Sequence, residues 1–110
     1  MTEVVLAKFS IKSGKKQVWL DWCEELKRRK EEVIATLKNE GVVSESCFIT
    51  DDGHSVYYFM EAKDIARAKE AALKNPHPID KEHKERKKIS LDKPEVLTNL
   101  FHFENRHLSS

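Results

Sequence analysis

Asp52 and Gly53 stand between two β-rich runs, Val42 to Ile49 and Ser55 to Glu61. No other feature limits the fold of this chain as strongly. Asp-Gly between such runs is a hairpin signal, because both central residues of a two-residue hairpin turn need positive φ. With Asp52-Gly53 as the loop, Asp51 faces His54, Ile49 faces Val56 and Cys47 faces Tyr58. Side chains alternate across a strand. One hairpin face then carries Glu45, Cys47, Ile49, Val56, Tyr58 and Met60. The other carries Ser44, Ser46, Phe48, Tyr57, Phe59 and Glu61. Neither face is wholly polar, and a sheet apolar on both faces has to be covered on both.

The flanking segments supply the rest of a layered domain. Glu3 to Phe9 reads as a first strand, bounded by Ser10, Ser13 and Gly14. From Ser13 the period changes. Val18, Trp19, Trp22, Cys23, Leu26, Val33, Ile34 and Leu37 follow the three-and-four spacing of an amphipathic helix. Ser13 can cap its start and Gly41 can end it in a left-handed conformation. One helix of about 26 residues, roughly 40 Å long, is expected, with one end overhanging the sheet or covering part of a partner. Asp64 caps a second helix with Ile65, Ala68, Ala72 and Leu73 inward, and Asn75-Pro76-His77-Pro78 breaks it. A further helical stretch covers Ile79 to Ile89. Lys93-Pro94 then precedes a last strand from Glu95 to Phe103. A chain of 110 residues holds one core. Residues 1–104 therefore form one domain, and 105–110 read as a loose tail.

Strand, helix, hairpin, helix, strand is the split β-α-β pattern, a ferredoxin-like α+β fold with one antiparallel sheet. Right-handed crossovers put both helices on one face of it. The opposite face keeps large apolar side chains, so a homodimer joined through the sheet is expected.

The order of elements resembles the dimeric α/β-barrel superfamily. So do the LKNEG end of the first helix (Leu37 to Gly41), the strand VYYFMEAKD (Val56 to Asp64) and the last strand EVLTNLFHF (Glu95 to Phe103). That superfamily includes sugar mutarotases, quinone-forming monooxygenases and haem-degrading enzymes alongside uncharacterised bacterial and archaeal families. The resemblance implies a ligand site between sheet and helices, and it fits an uncharacterised family best. The mutarotases carry a functional histidine on the first helix. The matching position here is close to Leu26, and no histidine occurs from Ser13 to Gly41. The Asn, Trp and His set of the haem-degrading members is not recognisable.

Composition removes several classes of function. Lys and Arg total 20 against 19 Asp and Glu, so a net charge of +1 gives no long-range pull on nucleic acid or anionic membrane. RNA-recognition modules share this element order, and Tyr57 and Phe59 superficially suit base stacking, but the basic-aromatic strand motif is missing. No apolar run approaches the ~18 residues of a membrane span, and the start lacks a leader pattern. Cys23 and Cys47 fit no metal spacing and read as reduced thiols of a cytoplasmic protein. No metal or cofactor motif appears.

His83 is the candidate catalytic residue. Ile79, His83, Arg86 and Ile89 fall at helical spacing, so the imidazole points where the apolar residues point and can act as acid or base. The plainer reading is a half-exposed histidine on a solvated KEHKERKK face. Trp22, Arg29, Tyr58 and His77 are the candidate ligand-binding residues. Arg29 interrupts the apolar stripe and offers an anion anchor, or else it pairs with Glu25 or Glu32. Tyr58 lines the helix side or packs as core. His77, held between two prolines, assists His83 or is surface. The expected function is a small-molecule enzyme working by acid-base chemistry, isomerase-like or monooxygenase-like. The alternative is a ligand-binding or regulatory module without turnover.

Overall fold

The computed structural model describes residues 1–105. Four strands form one antiparallel sheet in the order β2-β3-β1-β4, with β1 Glu3–Ser10, β2 Val42–Ile49, β3 Ser55–Ala62 and β4 Glu95–Leu97. This is the ferredoxin-like arrangement. The helices are α1 Lys16–Arg28, α2 Lys30–Glu40, α3 Ile65–Leu73 and α4 Pro78–Ser90. The tail expected from residue 105 lies, Asn105 apart, outside the described residues.

The hairpin register is the one read from the sequence, with Ile49 opposite Val56 and Cys47 opposite Tyr58. The loop is longer than two residues. Thr50 N–H donates to the Ser55 carbonyl and Gly53 N–H to the Thr50 carbonyl, so a tight turn over Thr50 to Gly53 precedes His54. Asp52 accepts from the Thr50 hydroxyl and from His54 N–H, which holds the loop shut. Only Gly53 takes positive φ there, at 73°. A Cβ at Gly53 would meet the flexible end of Lys16, at 2.7 Å from Nζ, so backbone strain is the main cost of a substitution. Gly53→Val should lose about 1–2 kcal/mol. Urea unfolding checks this, and an unchanged midpoint would mean that the turn does not need its left-handed residue.

The long first helix is broken. Arg29 has φ −105° and ψ 36°, and its N–H is shared between the Glu25 and Leu26 carbonyls. The break lets α1 pack on α4 while α2 packs on α3 and α4. Ser13 does not cap α1, whose first turn starts from Lys15 without a side-chain cap. Gly41 ends α2 at φ 72°, and Asp64 accepts from Arg67 N–H at the start of α3, both as expected. Leu73 points outward instead of inward, 81% exposed. Ile89 is also largely exposed.

The last strand is shorter than expected and stops at Leu97. Beyond it the chain runs on without a ladder, tied to the start of β1 by side chains. Thr2 N–H donates to Glu104, and the Thr2 hydroxyl donates to Glu61 and contacts Glu104.

Pleating sends Val5, Ala7, Phe9, Glu45, Tyr58, Met60 and Val96 toward the helices. The core there is divided. Phe9, Trp19, Trp22, Val56, Ile79 and Leu91 form one buried cluster, and Val42, Ala62 and Ala68 form a smaller one. A cavity lies between them.

Candidate functional site

The cavity encloses about 310 Å³. Its walls are mostly apolar, with Val5, Ala7 and Phe9 from β1, Leu26, Val33 and Leu37 from the broken first helix, and Met60 from β3. Polar groups enter from several elements, the hairpin and α4 among them. Tyr58 and Glu45 come from the hairpin. Asp80, His83, Lys84 and Lys87 come from one face of α4.

His83 sits at the centre of a directed hydrogen-bond chain. Trp22 Nε1 lies 2.9 Å from His83 Nδ1. An indole N–H can only donate, so Nδ1 must be unprotonated and the neutral ring carries its hydrogen on Nε2. That hydrogen is directed to the Tyr58 hydroxyl, 2.9 Å away. With its oxygen accepting, Tyr58 turns its own hydrogen to Glu45 Oε1 in a short bond. Every proton in the chain thus points from Trp22 toward the Glu45 carboxylate. Trp19 and Trp22 flank the imidazole, with centroids 6.0 and 6.1 Å from it.

Burial sets the electrostatics. It pushes His83 down to about 3, and the charges of Lys87 and Lys84 push the same way. The ring is neutral at physiological pH, so His83 orients and donates and does not titrate near neutrality. Burial raises the Glu45 carboxyl above the usual range, against the Tyr58 hydrogen bond that lowers it. Tyr58 is raised well above its ordinary value by burial and by the Glu45 charge. Lys87 is lowered by burial and partly restored by Glu45. Its Nζ stands 5.0 and 5.2 Å from the ring centroids of Phe9 and Tyr58. On the far wall Glu40 is raised by burial and accepts from Asn75 Nδ2.

The structure brings together three of the five residues singled out in the sequence. His83 and Tyr58 line the cavity, and Trp22, 1% exposed, stands behind His83 and holds it. Arg29 does not reach the cavity. Its guanidinium forks onto Glu32 and Glu82, tying the helix break to α4, and those carboxylates satisfy it. His77 precedes the first turn of α4, with its N–H on Asn75 Oδ1, and it is not among the lining residues.

Glu45 and Lys87 went unselected from the sequence. The hairpin alternation puts Glu45 on the face of Tyr58 and Glu61 on the other. Lys87 lies in the KEHKERKK run, whose charge density by itself reads as a solvated face. A signal was present, since Asp80, His83, Lys84 and Lys87 recur at helical spacing and share one face. Away from the cavity, Glu61, His102 and Glu104 bring three donor atoms within 4.8 Å of one another beside Thr2. They play no part in the chain from Trp22 to Glu45.

Comparison with solved structures shows the same fold in proteins of distant sequence. The chain is similar to a protein from Bacteriodes thetaiotaomicron provisionally assigned as an antibiotic biosynthesis monooxygenase, with a TM-score of 0.62 and 19% identity over 91% of this chain and 90% of that one. It is similar to L-rhamnose mutarotase from Formosa agariphila, with a TM-score of 0.58 and 20% identity over 93% and 99%. It is also similar to a NIPSNAP family protein from Agrobacterium tumefaciens, with a TM-score of 0.54 and 22% identity over 88% and 90%. The likeness to these neighbours is one of fold, the ferredoxin-like α+β arrangement. A family model described as a family of unknown function, DUF6176, matches residues 2–107. No curated protein matches the chain.

Proposed function

The chain belongs to this family of unknown function, and from its cavity we propose that it binds a small, mostly apolar molecule and moves a proton on it. The observation that carries the reading is the Tyr58 hydroxyl held between His83 and Glu45 inside an apolar cavity.

Each group has a distinct task. Glu45 is the base, since a carboxylate raised by burial accepts a proton more readily at neutral pH than an ordinary one. Lys87 is the cation that stabilises negative charge left on the ligand, in a site where water does not screen it. His83 and Tyr58 orient the base, and Trp22 fixes the tautomer of His83. Apolar walls fit a molecule whose carbon skeleton is hydrophobic. Base and cation at one end fit a carbonyl with an acidic neighbouring C–H, or a phenolic hydroxyl. A free sugar would leave most of its hydroxyls unpaired against these walls.

The test is to incubate the protein in deuterated buffer with a panel of small carbonyl and phenolic compounds. Proton NMR then follows exchange or conversion, and tryptophan fluorescence follows binding. Wild type should exchange a C–H or convert a compound that Glu45→Gln binds but leaves unchanged. Binding without turnover by wild type would overturn the enzymatic reading in favour of a ligand-binding module. Turnover undiminished in Glu45→Gln would remove Glu45 as the base.

The open sheet face is proposed to pair with a second copy. It carries Val4, Leu6, Phe59 and Leu97, with Phe48 59% exposed at the edge. Beyond β4, Phe101 and Phe103 stack on each other at 5.0 Å yet remain 70% and 85% exposed. Phe59→Asp should convert the dimer to monomer or unfold it, because a charge buried there has no partner. Sedimentation checks this. A folded wild-type monomer at micromolar concentration would refute the pairing. Among the described residues no helix is long and apolar enough to cross a membrane, and the free thiols agree with the cytoplasm as the proposed location.

A further inference from the structure

The two cysteines of the chain, separated by a helix break and a turn in sequence, meet in space. Cys23 lies on α1 and Cys47 on β2, and both line a second cavity, between α1 and the outer end of the hairpin, together with Trp19, Lys27, Ile49 and Val56. Their side chains meet on this cavity, near enough for each thiol to act on the other. Cys23 is half-buried against the core and Cys47 is exposed, so a small oxidant can reach the pair. We propose that Cys23 and Cys47 are a reactive dithiol that closes reversibly into a disulfide when the protein meets a peroxide.

The positions assign the roles. Cys23 is the attacking thiol. The neighbouring Cys47 thiol and the positive charge of Lys27, one turn further along α1, lower it against the opposing effects of burial and of Glu24. Cys47 is held up by the nearness of Cys23, so it stays a thiol. The Cys23 thiolate attacks one peroxide oxygen, the O–O bond breaks, and hydroxide or an alcohol leaves. Cys23 is then a sulfenic acid. The Cys47 sulfur attacks that sulfur, the S–O bond breaks and water departs, leaving the disulfide. Two electrons pass from the two thiols to the peroxide, and two external thiols, or one external dithiol, return them by exchange and leave as a disulfide.

The location gives the bond leverage on the fold. β2 is an edge strand, paired on one side only, with an irregularity between Val42 and Ser44. Cys47 sits opposite Tyr58 in the ladder, and Cys23 adjoins Trp22, which holds His83. A disulfide therefore ties together the two elements that carry opposite ends of the Trp22-to-Glu45 chain. The dithiol stands whether or not the neighbouring cavity catalyses a reaction.

The experiment treats the reduced full-length protein with hydrogen peroxide and follows thiol titration, intact mass and non-reducing electrophoresis. Both thiols should disappear together, the mass should fall by two hydrogens, the chain should stay uncross-linked, and dithiothreitol should restore it. In Cys47→Ser, Cys23 should stop as a sulfenic acid that dimedone captures. In Cys23→Ser, Cys47 should react at least tenfold more slowly than Cys23 does in wild type. Stepwise addition of oxygen to separate cysteines in wild type, or disulfides only between chains, would overturn the proposal. Equal peroxide reactivity of the two single variants would overturn the assignment of Cys23 as the attacking thiol.

Discussion

Trp22→Ala should destabilise the protein by about 3–5 kcal/mol, the usual cost of deleting a large buried aromatic. Trp22 is 1% exposed and belongs to the larger core cluster. The loss would also strip His83 of its Nδ1 donor and leave a buried imidazole nitrogen unsatisfied. Trp22→Phe separates the two effects. It keeps most of the ring volume and removes only the N–H, so about 1–3 kcal/mol should be lost. Urea unfolding of both variants measures the difference. Nitrogen-15 NMR of His83 supplies the second readout. The wild-type ring should show a protonated Nε2 and a bare Nδ1 at neutral pH, and Trp22→Phe should mix the tautomers. If Trp22→Phe matched wild type in stability and tautomer, the indole would not be what orients the imidazole.

Acid should destabilise the protein through the same histidine. The ordinary value of 6.5 for His83 falls to about 3 in the folded protein. Between those values the unfolded chain binds a proton that the folded one excludes. The stability contributed by the neutral buried ring is therefore complete above pH 6.5 and is lost as pH falls toward 3. The slope from this group is roughly 1.4 kcal/mol per pH unit. Glu45 acts in the opposite sense. Its folded value is raised above 4.5, so the folded state gains a proton first and recovers part of the loss above that pH. Unfolding free energies measured from neutral pH down to mildly acid pH should fall steeply for wild type. They should fall more steeply for Glu45→Gln, which lacks the compensation, and much less for His83→Phe, which lacks the titrating ring. Parallel slopes for wild type and His83→Phe would show that His83 is not the acid-sensitive group.

Both expectations rest on contacts that span the chain, and this marks the boundary between what was legible in the sequence and what was not. Local chemistry wrote the elements. The Asp52-Gly53 step and the alternation on either side of it set the hairpin register, because a slip of one residue would turn every side chain to the wrong face. Gly41 ended α2 and Asp64 capped α3 for reasons contained within one turn of chain. Helical spacing aimed His83 inward.

Packing decided the rest. The helix broke at Arg29 because its halves settle on different neighbours, and Arg29 turned to Glu82, 53 residues away. The expected strand beyond Leu97 lost its ladder and became an exposed aromatic segment. The state of His83 was equally invisible. Its tautomer depends on Trp22, 61 positions away, and its low pKa depends on burial by three helices and a sheet. Glu45 became the end of the chain only when β2 lay against β3 beneath α4. Local sequence specifies conformations and the faces they present. The protonation of buried groups and the meeting of His83, Tyr58 and Glu45 are set by desolvation and distance, which exist only once the layers have closed.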